Sequence, residues 1–166
     1  MAFNKEKMKQ VIHYIIDCCQ HKPNFGKTVL YKLMYFSDFN HYELYETLIT
    51  DEKYEKKPFG PVPCHFDLIT DELIQENKIK YVEKPFINYI QKRHCSLKKP
   101  DTSLLSEKVL GVINSVIDKL SHMNAGEISE YSHGDKPWRV AKFEECLDPE
   151  FVFYRNDEYS VREYDD

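Results

Sequence analysis

The chain has 166 residues, 42% hydrophobic and 31% charged, the balance of a folded globular protein and not of a disordered one. No apolar run approaches the roughly 20 residues that cross a bilayer, and the opening MAFNKEKMKQ lacks the apolar stretch of a signal peptide. One cytosolic domain over residues 1–166 with no membrane partner is therefore expected. A net charge of −5 confines any nucleic-acid binding to a local basic patch, and five cysteines, an odd number without an export signal, read as free thiols.

Asn4 to Gln20 reads as the first helix, capped by Asn4, with Met8, Val11, Ile12, Ile15, Ile16 and Cys19 on its buried face. Pro23 ends it, because the residue before a proline avoids helical backbone. Gly26 to Tyr45 is the stretch the rest is built around. Leu30, Leu33, Met34 and Ser37 recur at helical spacing, and Val29, Phe36 and Phe39 widen the apolar face beyond a stripe. The spacing predicts a central helix, with Thr28 able to cap its first turn; Lys27, Lys32, Asp38 and Glu43 are expected to reach solvent or pair.

Thr50 to Lys57 reads as a loop with a short strand around Tyr54, and Pro58 to Pro63 as a rigid turn. A third helix covers Cys64 to Glu76, with Asn77 as its stop. Ile79–Val82 and Phe86–Ile90 alternate apolar and polar residues around Pro85, which predicts an antiparallel hairpin whose second arm extends toward Leu97. Ser103 to His122 is the next long helix, and short helices follow at Asn124–Ser132 and from Lys136. The end is open: Phe151–Tyr154 and Tyr159–Val161 form a hairpin, or Asn156 caps a last helix toward Tyr164. The fold class is α+β, helix-dominated, with a small hairpin between the third and fourth helices.

Sites are weighed against plain structural roles. His13, Cys18, Cys19 and His21, the pairs Cys64-His65 and His94-Cys95, and the helix face His13, Asp17, His21 lack the spaced pairs of a zinc site. No nucleophile elbow, phosphate loop or metalloprotease motif occurs, so no catalytic residue, cofactor or metal is assigned; an uncharacterised enzyme stays as an alternative, because catalytic groups need not lie in a local motif. Lys92, Arg93, His94, Lys98 and Lys99 follow helices in a hairpin, as in the wing of a winged helix, which keeps direct DNA binding as an alternative. His133 and Asp135 are placed for proton transfer; the plainer role for this stretch is that Trp138, the only tryptophan, anchors the last helices while His133 and Arg139 bond nearby backbone.

Three motifs occur in order: Lys32-Leu33-Met34-Tyr35-Phe36, Gly60-Pro61-Val62, and Ser129, His133, Pro137, Trp138, Arg139 spaced as S-x-x-x-H-x-x-x-P-W-R. In this the chain resembles the Panacea domain of the SocA-like antitoxins, over about residues 5 to 142. It departs where the family often carries a tryptophan before G-P-V; Lys57 or a neighbour stands there. The resemblance implies a compact, mainly helical, non-catalytic domain that neutralises a cognate toxin by direct protein binding. It also implies two modes known in the family, delivery of the toxin to a ClpXP-type protease and blocking of small alarmone synthetases, and an origin in prophages or mobile elements. The motif residues are expected to be structural. Partner contacts are expected from exposed aromatic and basic residues outside them: Tyr42, Tyr45, Tyr54, Tyr89, Arg93, Tyr154 and Arg155.

Overall fold

The computed structural model describes residues 3–165. In chain order it holds α1 (Lys5–Cys19), α2 (Lys27–Tyr45), β1 (Tyr54–Lys57), β2 (Gly60–Pro63), α3 (Phe66–Gln75), β3 (Ile79–Phe86), β4 (Tyr89–Ser96), α4 (Glu107–Leu120), α5 (Ala125–His133), α6 (Lys136–Val140) and a 3₁₀ helix (Pro149–Tyr154). The fold is α+β and helix-dominated, with two separate antiparallel hairpins.

The central role of α2 is confirmed. It packs against α1, α4, α5, β2, β4 and the 3₁₀ helix, and Val29, Leu30, Leu33, Met34, Tyr35, Phe36 and Phe39 are all buried. Several helix starts carry a side-chain cap. Asn4 caps α1 by accepting from Lys7 N. Ser106 caps α4, and Asn124 with Glu127 forms a reciprocal capping box on α5. The cap of α2 is Gly26, with no side-chain bond; Thr28 does not cap it.

Three sequence expectations are corrected. The Pro58–Pro63 turn is part of a hairpin, β1–β2, paired from Tyr54↔Pro63 to Lys57↔Gly60. Its prolines are tolerated because β2 is the outer strand, while residues 144–147 pair along the other side of β1 through Leu147 N to Tyr54 O and Lys56 N to Glu145 O. The second hairpin turns at Ile87-Asn88, and Pro85 lies inside β3 opposite Ile90; a two-stranded ribbon leaves outward edges that need no N–H donor there. The tail forms neither a hairpin nor a long helix. Phe151 to Tyr154 belong to the 3₁₀ helix, and Tyr159 onward is irregular backbone held by side chains.

Candidate functional site

The three motifs meet at one junction between α2, the β1–β2 hairpin and α5–α6. Gly60 has φ +115°, a region that side chains rarely adopt, and a Cβ there would lie 2.3 Å from Ser132 Oγ and 2.5 Å from Lys32 Cε. The glycine therefore lets the hairpin close onto α2 and α5. Lys32 is only 1% exposed. Its Nζ has one long contact, 3.4 Å to Pro61 O, and no carboxylate partner among the described residues. Burial without a countercharge lowers its pKa to about 7. This overturns the expectation that Lys32 reaches solvent or pairs.

Tyr35 donates to Asp135 Oδ2 at 2.8 Å. Asp135 also caps α6 by accepting from Lys136 N. Arg155 donates to both Asp135 oxygens, at 2.8 Å each, and to Asn40 Oδ1 and Glu43 Oε1. Burial works against the guanidinium charge, but the Asp135 and Glu43 carboxylates overcome it and raise its pKa. Glu43, fully buried, further accepts from Ser160 Oγ, Val161 N and Tyr164 OH. A second buried carboxylate, Asp38, accepts from Thr50 N, Thr50 Oγ1 and Tyr54 OH. Burial lifts its pKa to about 6 even so.

The remaining motif residues close the junction. Leu33 and Phe36 are in the core, Val62 is half-buried, and Ser129 and Pro137 are buried. His133 stacks on Trp138 at 4.2 Å, Trp138 donates to Lys57 O, and Lys56 lies 4.0 Å over the indole. Trp138 is half-buried and Arg139 exposed. His133 and Asp135 share no hydrogen bond: Asp135 is engaged by Tyr35 and Arg155, so the proton-transfer pairing is not formed.

The seven partner-contact candidates divide. Tyr45 (41% exposed), Tyr89 (50%) and Tyr154 (68%) are on the surface. Tyr42 is half-buried and bonded to Glu150. Tyr54, Arg93 and Arg155 are interior groups, which corrects the expectation of exposure. Arg93 donates to Gln20, Lys22 and Pro23 carbonyls just past the end of α1, a place that favours a cation. His94, wedged between Phe66 and Tyr81, is pushed by burial down to a pKa of about 4 and stays neutral at pH 7. Two of the five basic residues assigned to a DNA-binding wing are thus withdrawn from the surface. Among the described residues, no three His, Cys, Asp or Glu side chains gather to hold a metal, and all five cysteines are free.

Beside the junction a cleft of about 830 Å³ opens, lined by Thr28, Phe59, Tyr89, Ser129, Glu130 and His133. Sequence reasoning missed Phe59, which follows a proline and reads as turn filler; only its place next to Gly60 could have drawn notice. Among the described residues, no helix is long and apolar enough to cross a membrane.

The motif residues Lys32, Tyr35, Gly60, Pro61 and Trp138 thus join the molecule's own elements, and the cleft beside them is partly aromatic. The chain belongs to the antitoxin SocA-like family: the model of the Panacea domain matches residues 30–139. That span contains all three motifs and ends before Arg155. Comparison with curated proteins and with solved structures found no match.

Proposed function

We propose that this chain is an antitoxin that neutralises a cognate toxin protein by direct binding, without catalysis. The family match carries the reading. Its physical support is the division of labour in the molecule: the motif residues Lys32 and Tyr35, and the Asp135 that Tyr35 bonds, are sealed inside, whereas large apolar side chains such as Phe59, Tyr89 and Tyr154 face outward. The test is co-expression with the product of an adjacent gene that arrests growth when made alone. Restored growth and co-purification support the reading; unrelieved arrest refutes it.

Two finer points belong to the same proposal. Toxin half-life in co-expressing cells separates delivery to a ClpXP-type protease, which shortens it, from simple blocking, which does not. Direct DNA binding is the weaker reading, because Arg93 and His94 are buried.

A further inference from the structure

The cleft beside the junction does not end at its own walls. Thr28, Tyr89 and Ala125 also line a second hollow of about 310 Å³, so the two form one continuous groove between α2, β4 and α5. Large apolar side chains line both lobes of the groove, and the two lobes carry opposite charge. Phe59 (75% exposed), Tyr89 (50%) and Ile90 (56%) supply large apolar surface turned toward water. Lys27 and Lys92 line the smaller lobe. Lys92 has no carboxylate within salt-bridge reach among the described residues, and Lys27 has one loose pair, 3.7 Å to the exposed Asp67. Gly26 to Thr28, the start of α2 and without a side-chain cap, line the same lobe. Glu130 lines the larger lobe, again with no cation in reach among the described residues.

We infer that this groove docks an extended segment of the toxin in one direction. The segment carries a large aliphatic or aromatic side chain that fills the space between Phe59 and Tyr89. An acidic residue on one side of that anchor meets Lys27 and Lys92, and a basic residue on the other meets Glu130. The inference rests on the antitoxin reading and adds the place and chemistry of contact. Complementarity of charge at both ends selects a polypeptide: a phosphate backbone would satisfy the lysines but would set like charge against Glu130. It also gives the motifs a purpose beyond stability. Ser129 and His133 floor the groove, and Gly60 fixes the backbone from which Phe59 projects.

The test pans random phage-displayed peptides on the immobilised full-length chain. Enriched sequences should share an apolar anchor with acid on one side and base on the other. Binding should fall about ten-fold or more in the double variant Phe59→Asp, Tyr89→Asp, whose positions are exposed enough to leave folding intact, as melting temperature verifies. Lys92→Glu should weaken the same peptides, and replacing their acidic residue by lysine should restore binding. The inference is overturned if nothing is enriched, if the double variant binds the peptides equally, or if a single-stranded oligonucleotide occupies the groove and displaces them. Growth rescue separates the two claims. Full protection by the double variant sinks the groove as the toxin's site and leaves the antitoxin reading standing. Failure of the unaltered chain to protect sinks the antitoxin reading itself.

Discussion

Arg155 grips Asp135 with both faces of its fork, Nε to Oδ1 and Nη2 to Oδ2, each at 2.8 Å, and neither side chain is exposed. The pair joins a residue beyond the family match to one inside it. Arg155→Met leaves Asp135 and Glu43 buried without a countercharge, which should cost about 3–5 kcal/mol. Arg155→Lys should recover little, because a point charge cannot replace a bidentate fork. Urea denaturation at pH 7 measures both; a loss under about 1 kcal/mol for Arg155→Met would remove the cluster from the framework.

Gly60→Ala should destabilise by about 2 kcal/mol or more, from the φ of +115° together with the contacts on Ser132 and Lys32. Adding Ser132→Gly relieves one contact but not the backbone strain, so only part of the loss should return. Thermal unfolding of the single and double variants reads the difference.

Lys32 makes stability depend on alkaline pH. Its folded pKa of about 7 lies below the ordinary 10.5, so between these values the unfolded chain binds more protons. Stability should rise with pH from 7 to 9, by up to about 1.4 kcal/mol per unit, and be lost as pH falls back. Above about 10 the buried Tyr35 and Tyr54, whose pKa values are raised, oppose the trend. Lys32→Met should raise the melting temperature at pH 7 and flatten the slope; an unchanged slope would mean that the amine stays charged inside.

Asp38 and His94 pull in opposite directions on the acid side. With Asp38 raised to about 6, the folded state holds the extra proton below that pH, so its contribution is lost as pH rises from 4 to 6. With His94 lowered to about 4, the unfolded state holds the extra proton, so its contribution is lost as pH falls through the same window. Relative to the unaltered chain, Asp38→Asn should make stability climb more steeply with pH between 4 and 6, and His94→Phe should make it climb less or decline. Urea midpoints at pH 4.5 and 6 decide; identical profiles for the two variants would contradict the assignment.

The surface tyrosines and the interior groups should separate cleanly in a neutralisation assay. Tyr89→Ala should weaken protection with a melting temperature within a few degrees of the unaltered chain. Tyr54→Ala and Arg93→Ala should fail by unfolding, since each strips hydrogen bonds from buried partners. Protection retained by Tyr89→Ala, or a stable Tyr54→Ala, would reverse this division.

The helices were legible because their apolar periodicity is long and their ends carry caps such as Asn4, Ser106 and Asn124. The short strand around Tyr54 was legible and is β1, but its partner β2 was hidden because the pairing depends on β2 lying at an edge, which no local pattern reveals. The fates of Arg93 and Arg155 were hidden for a related reason. A basic residue in a polar stretch looks exposed unless its acceptors are known, and those acceptors, Gln20 O and Asp135, lie far away in sequence. Lys32 shows the converse: the motif position was plain, and only the packing of Gly60 and Ser132 reveals that its amine is enclosed.

The second hairpin is gripped along β4, where Gln91 and Arg93 bond the chain just past α1, while its tip, with Ile87 86% exposed, stands clear of the core. Length can therefore be added between Phe86 and Tyr89 without disturbing any buried contact. That makes the tip a natural port for grafting: a foreign loop or affinity tag inserted there would ride on a fixed stem.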